Sequence, residues 1–260
     1  MSFSPPAVLA FAASDPTSGA GIQADVLALA ALGCHPLCAI TALTVQDTSG
    51  VQRLVPLEGA LVAEQARRVL ADVPVAAFKL GVLGSGDAAH AVAQVLAQHP
   101  RIPVVLDPVL ASARGDALAG EETVAALREH LLPLATIATP NSVEARRLVP
   151  GASSLPACAR ALIDLGCKYV LVTGTHEPTQ EVVNTLHDVR GEVRADRWPR
   201  LPASYHGSGC TLASAIAACL AKGLPVPQAV CAAQQFTWQS LAAGYRPGRG
   251  QHVPNRLFAR

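Results

Sequence analysis

The chain has 260 residues, half of them hydrophobic, with 20 basic and 19 acidic side chains and 4% aromatics. This near-neutral balance and shortage of stacking rings argue against a nucleic-acid surface, and the length suits one large α/β domain with a substantial core. Seven scattered cysteines lack any Cys-x-x-Cys pair, which indicates neither a zinc site nor a disulfide framework and leads us to expect reduced thiols in the cytosol.

Short β-like runs alternate with helical runs. Ala7–Ala12 reads as a buried strand and Ile22–Leu32 as a helix ended by Gly33; Leu37–Ala42 and Val51–Leu57 read as strands, the second at an edge. Leu61–Leu70 has helical spacing, Ala76–Leu80 is a short strand entering Gly81, and Ala88–Ala97 is helical. The alternation continues with strand Pro103–Leu106, helix Val124–Leu132, strand Thr136–Ala138, helix Ala157–Leu165 and strand Tyr169–Val172. Val182–Val189 and Val193–Trp198 flank Arg190-Gly191 as a hairpin, and helices Thr211–Lys222 and Gln228–Leu241 close the chain. Uncharged stretches at Val26–Gln46 and Leu201–Ala221 are interrupted by Gly, His or Pro, so neither reads as a membrane span. The expected fold is a single α/β domain over 1–260, a mostly parallel central sheet flanked by helices in three layers. Ser14–Gly21, Gly81–Gly86, Asp107–Gly115, Thr139–Glu144 and Thr173–His176 all follow strands and should gather at the carboxyl edge.

The most informative stretch is His206-Gly207-Ser208-Gly209-Cys210-Thr211, a glycine turn feeding an alanine-rich helix. Such a turn aims several N–H groups one way, and the helix start adds unpaired N–H groups and positive dipole. That is an anion pocket suited to phosphate. Cys210 at its lip is expected to have a lowered thiol pKa. In Ser14–Asp25, Gly19, Ala20 and Gly21 allow close approach, and Asp25 lies one helical turn in, within reach of a substrate hydroxyl. Gln46 carries a donor and an acceptor, matching an aminopyrimidine edge. Asn141 and Glu144 have capping-box spacing, and a sparse carboxylate supply satisfies Mg²⁺, which keeps several waters. Lys79 either reaches solvent or faces the site.

These segments, in this order, resemble the hydroxymethylpyrimidine/phosphomethylpyrimidine kinases of the ribokinase-like superfamily. The matching pieces are Ser14-Asp15-Pro16 with Gly19–Asp25, Thr41–Thr48, Lys79-Leu80-Gly81, Leu106–Val109, Thr139-Pro140-Asn141 with Glu144, and His206–Thr211. The resemblance implies a ribokinase-like three-layer sandwich that transfers the γ-phosphoryl of ATP to 4-amino-5-hydroxymethyl-2-methylpyrimidine, then to its monophosphate, in thiamin biosynthesis. It implies that Gln46, Asp25, Ala20, Gly21 and Val109 bind the pyrimidine. It implies an anion hole of Gly207, Ser208, Gly209 and Cys210; from the lowered thiol we further expect Cys210 to accept the hydroxyl proton late in the reaction. It implies that Asn141, Glu144, Thr173 and Gly174 serve ATP, and that Glu144 and Asp107 serve Mg²⁺. Thr173 departs from the pattern, because relatives often carry lysine there. A cytoplasmic homodimer with no nucleic-acid or membrane partner is the further implication. Pyridoxal kinase, acting on another hydroxymethyl-bearing heterocycle, and a non-catalytic pyrimidine-binding sensor are the competing readings.

Overall fold

Strand β1 (Ala7–Ser14) is apolar and buried almost throughout, and it forms the centre of the sheet. The structure is a computed structural model that describes residues 4–111, 115–116 and 118–258. Residues 1–3 and 112–114, the latter part of the expected Asp107–Gly115 segment, lie outside the described residues, as do Ala117, Ala259 and Arg260.

The remaining strands are β2 (His35–Asp47), β3 (Gly50–Pro56), β4 (Val75–Leu80), β5 (Val104–Leu106), β6 (Ile137–Ala138), β7 (Tyr169–Val172), β8 (Glu181–Asp188) and β9 (Gly191–Pro199). They form one sheet in the order β3-β2-β1-β4-β5-β6-β7-β8-β9. Pairing from β2 through β7 is parallel; β3, β8 and β9 join antiparallel at the two ends. The order reverses between β1 and β4, and at such a reversal the connections leave in opposite directions and open a crevice at the strands' carboxyl ends.

Helices α1 (Gly21–Ala31), α2 (Gly59–Leu70), α3 (Gly86–Ala97), α4 (Glu121–Ala126), α5 (Ser142–Leu148), α6 (Leu155–Asp164), α7 (Ser208–Ala221) and α8 (Val226–Ala242) cover both faces. Alternate residues of a strand point to opposite faces. Leu9, Phe11, Phe78 and Leu80 therefore pack with α2, α3 and α6, while Val8, Ala77 and Val105 pack with α1, α7 and α8. Lys79 shares the face of Ala77, so its side chain enters the α1/α7 layer.

Three expectations need adjusting. Strand β2 runs to Asp47, five residues past the expected end, because the pairs Leu43–Val55 and Val45–Arg53 tie it to β3. Gln46 therefore sits on a strand, not in a loop. Helix α7 begins at Ser208, so Gly209 and Cys210 belong to its first turn. The segment expected as helix Val124–Leu132 breaks after Ala126 into a π-helical turn (Leu127–Leu131) and a 3-10 turn (Leu132–Leu134). Among the described residues, no helix is long and apolar enough to cross a membrane.

Candidate active site

The carboxyl ends of β1, β5, β6 and β7 open into a cleft of about 810 Å³. On one side stands the turn after β1. Asp15, 2% exposed, organises it: Oδ1 accepts from the Thr17 N–H and hydroxyl, both at 2.8 Å, and Oδ2 accepts from the Ala20 N–H at 2.8 Å. His206 Nε2 lies 2.8 Å from the same Oδ2, joining this turn to the one before α7. Burial works to raise the Asp15 pKa, yet hydrogen bonds from His206, Ala20, Gln46 and Thr17 hold it well below the usual carboxylate range. Ala20, Gly21, Gln46 and Val109 line this part of the cleft.

On the other side is the start of α7. Gly207 has φ +85°, and a Cβ there would lie 1.9 Å from the Gly19 carbonyl oxygen. Only glycine permits both the left-handed turn and that approach. The first α7 amide with a backbone partner is Thr211, whose N–H donates to Gly207 O at 3.0 Å. Among the described residues, the N–H groups of Ser208, Gly209 and Cys210 have no acceptor, and all three residues line the cleft. Three free amides at a helix start have the geometry to hold an anion.

Two carboxylates complete the wall. Asp107, at the end of β5, is 3% exposed, and its Oδ2 has no hydrogen-bond partner. Its oxygens lie 3.7 Å from where a Cβ on Gly209 would be, so it faces the anion site. Burial raises its pKa to about 6; the Asp25 charge adds to this, while the Lys79 charge and a hydrogen bond with Cys210 oppose it. Glu144 closes the capping box of α5: Asn141 Oδ1 accepts from the Val143 and Glu144 N–H groups, and Glu144 Oε2 accepts from the Asn141 N–H, each at 2.9 Å. Burial, then repulsion from Asp107, pushes Glu144 up to about 8. An orphaned buried carboxylate oxygen and a second carboxylate raised by the first are the donors a divalent cation satisfies. Among the described residues no group of three or more His, Cys, Asp or Glu is arranged to hold a metal ion by itself.

Behind the floor lies a buried ion pair. Lys79 and Asp25 are both fully buried, with Lys79 Nζ 2.8 and 2.9 Å from the two carboxylate oxygens. Ser214, on α7, donates to Asp25 Oδ1 at 2.7 Å. Burial alone would lower the Lys79 pKa, but the charges of Asp25, Cys210 and Asp107 outweigh it, and the ammonium is held charged.

The placements correct several expectations. Asp25 does not line the cleft; both its oxygens are taken by Lys79 and Ser214. Lys79 neither reaches solvent nor touches the cleft. Gly174 is absent from the lining as well: its N–H donates to Asn184 Oδ1 at 3.0 Å, and a Cβ there would meet Val183 O at 2.2 Å. Thr173 does line the cleft, as do Asn141 and Glu144. The Cys210 thiol is raised to about 12, not lowered. Burial dominates; the nearby Asp107 and Asp25 charges add to it, and neither Lys79 nor the Gly21 N–H offsets them.

Sequence reasoning missed the far wall, built by β8, β9 and α8. Trp198 and Trp238 stack with ring centroids 6.3 Å apart. Gln234 Oε1 accepts from Trp198 Nε1 at 3.0 Å and Asn184 Nδ2 at 2.8 Å. The hairpin was legible, but not that its Trp198 meets residues of α8. Arg256 was missed too: it is 3% exposed and reaches Gly19 O and Thr211 Oγ1 at 2.5 and 2.9 Å.

A family profile described as phosphomethylpyrimidine kinase matches residues 15–255. The chain belongs to the phosphomethylpyrimidine kinase family. It is 42% identical over 264 residues to the hydroxymethylpyrimidine/phosphomethylpyrimidine kinase of Mycobacterium tuberculosis, covering 98% of this chain and 94% of that one. The phosphomethylpyrimidine kinase of Clostridium difficile superposes with a TM-score of 0.78 at 31% identity, over 91% of this chain and 99% of the other. The ADP complex of Bacillus subtilis pyridoxal kinase superposes with a TM-score of 0.89 at 27% identity, over 99% of both chains. The fold is thus the ribokinase-like sandwich of these kinases, and this family member is a phosphotransferase of thiamin biosynthesis.

Proposed function

We propose that this family member transfers the γ-phosphoryl of ATP to 4-amino-5-hydroxymethyl-2-methylpyrimidine and, in a second turnover, to the resulting monophosphate. The observation that carries this reading is the row of unpaired amides at Ser208, Gly209 and Cys210, opening on a cleft that Gln46 and Val109 also line. Gln46 offers an amide to the amino group and ring nitrogen of the pyrimidine; Ala20, Gly21 and Val109 supply close-fitting wall. Asn141, Glu144 and Thr173 serve the ATP side. Asp107 and Glu144 would hold Mg²⁺, which neutralises phosphate charge when bound.

Phosphoryl transfer runs through a loose transition state, so positioning and charge neutralisation supply most of the catalysis. The three amides meet charge as it spreads over the migrating phosphoryl oxygens, at no reorganisation cost. Cys210 acts through its backbone N–H. Its thiol, raised to about 12, is no resting thiolate; as the new O–P bond forms and the O–P bond to ADP breaks, the hydroxyl proton becomes acidic and passes late to an oxygen of the transferred phosphoryl group or to solvent.

A second reading, phosphorylation of pyridoxal, is favoured by the TM-score of 0.89 to the Bacillus subtilis pyridoxal kinase. A non-catalytic sensor fits less well, because it gives the free amides no task. We take residues 1–260 as one domain, consistent with the single nine-stranded sheet, and infer a homodimer through the β2–β3 edge, where Leu43, Val45 and Val55 are exposed. Seven free thiols support a cytosolic setting.

The test is ATP consumption with hydroxymethylpyrimidine, its monophosphate and pyridoxal side by side, with product analysis. Turnover of both pyrimidines supports the reading. Turnover of pyridoxal alone replaces it with the second reading, and binding without ADP release replaces it with the third.

A further inference from the structure

Arg256 lies one residue past the segment that the family profile matches. Its guanidinium is buried, and among the described residues every hydrogen bond it makes goes to the two turns that frame the anion site. Nη2 donates to Gly19 O at 2.5 Å and to Gly207 O at 3.4 Å; Nη1 donates to Ser18 O at 3.4 Å; Nε donates to Thr211 Oγ1 at 2.9 Å. Thr211 is itself fully buried, and its hydroxyl donates to Gly207 O at 2.8 Å. The Gly207 carbonyl is therefore gripped from three directions: the Thr211 N–H, the Thr211 hydroxyl and Arg256.

In a trans peptide the C=O and the following N–H point opposite ways. Holding Gly207 O inward turns the Ser208 N–H outward, to the cleft. Arg256 is also a buried cation that forms no ion pair with a carboxylate among the described residues. Burial without such a partner is costly, and it lowers the pKa of this guanidinium. An anion on the amides in front of it offsets that cost.

We propose that Arg256 is a positioning residue for phosphoryl transfer: it fixes the Gly207–Ser208 peptide with its N–H toward the cleft, clips the Gly19 turn to it, and sets a buried positive charge behind the bound phosphate. The proposal rests on the reading that the Ser208–Cys210 amides hold the migrating group.

The experiment compares wild type with Arg256→Ala and Arg256→Lys. The readouts are kcat and KM for ATP and hydroxymethylpyrimidine, the Tm, and the Tm rise caused by inorganic phosphate. Loss of one aimed donor in such a hole typically lowers turnover by ~10²-fold. The expected result is a fall in kcat of about that size in Arg256→Ala, a smaller phosphate-induced Tm rise, and saturable recovery of kcat by millimolar guanidinium. Arg256→Lys, which keeps the charge but loses the fork, is expected to keep the wild-type Tm and still lose turnover. The proposal is overturned if either variant keeps kcat within a factor of about three of wild type, which is close to the limit of a resolved barrier change. It is equally overturned if Arg256→Ala loses activity only in step with unfolding and guanidinium restores none. Absence of pyrimidine turnover in the wild type would instead remove the underlying reading.

Discussion

Gly207→Ala is the sharpest perturbation of the anion site. Gly207 has φ +85°, where an L side chain costs roughly 1–2 kcal/mol. The new Cβ would also sit 1.9 Å from Gly19 O, and relieving that contact to at least 3.0 Å moves the two turns apart by about 1.1 Å. Misplacement on this scale costs ~10²-fold in a positioned reaction, or about 2.7 kcal/mol of barrier. Gly223 is a built-in control: it has the same φ of +85°, but nothing lies within 4 Å of its would-be Cβ. Gly223→Ala is therefore expected to carry the backbone strain without the displacement. Both variants should lose stability by thermal melting, Gly207→Ala by more because the clash adds to the strain, while only Gly207→Ala loses kcat/KM, measured by coupled ADP release. Wild-type kcat/KM in Gly207→Ala, or equal losses in both variants, would refute the assignment of these amides to phosphate.

Three further outcomes are expected. Lys79→Met should lower stability by about 3–5 kcal/mol, since it strands Asp25 as a buried unpaired charge, whereas Lys79→Met/Asp25→Leu should recover most of it; urea melts showing no difference between the two would contradict the ion pair. Glu144 is raised from 4.5 to about 8, so the folded state favours its protonated form: its contribution is full below pH 4.5 and is lost as pH rises through about 8. Mg²⁺-free protein should thus lose Tm across that window, with Asp107, raised from 3.8 to about 6, adding to the lower part; Glu144→Gln should flatten the upper part, and an unchanged profile would count against the burial assigned to this carboxyl. Gln46→Ala should raise KM for the pyrimidine by about tenfold or more, the cost of one lost polar contact at ~1.4 kcal/mol, and leave KM for ATP unchanged; the reverse pattern in initial-rate kinetics would move Gln46 to the nucleotide side.

Much of this site was legible because its parts are local. Asn141 and Glu144 stand at capping-box spacing, and the structure closes that box with three hydrogen bonds. The glycine turn before α7 announces its amides through residue type alone. What failed was what burial and distant partners decide. The helix-start rule predicts a lowered Cys210 thiol, but desolvation and two carboxylates from β5 and α1 reverse the sign. Asp25 sits at the right depth to reach a ligand, but Lys79, 54 residues away, claims it first. Glycines mark loops in a one-dimensional reading, which puts Gly209 before the helix, whereas it lies in the first turn of α7, one residue after Ser208 starts it. Arg256 carries no local signal, since its partners lie 237 and 45 residues back along the chain.

The clasp among Gly19, Gly207 and Arg256 has a consequence for how this enzyme comes into being. The proposed anion site is not a module that a short fragment can carry: closing it joins segments 237 residues apart, and such long-range closures are late and slow. A chain stopped between residues 199 and 256 encodes every strand of the sheet yet lacks the guanidinium that clasps the Gly19 and Gly207 turns. Competence should therefore appear abruptly, once the segment that carries Arg256 is in place, and not accumulate as the sheet grows.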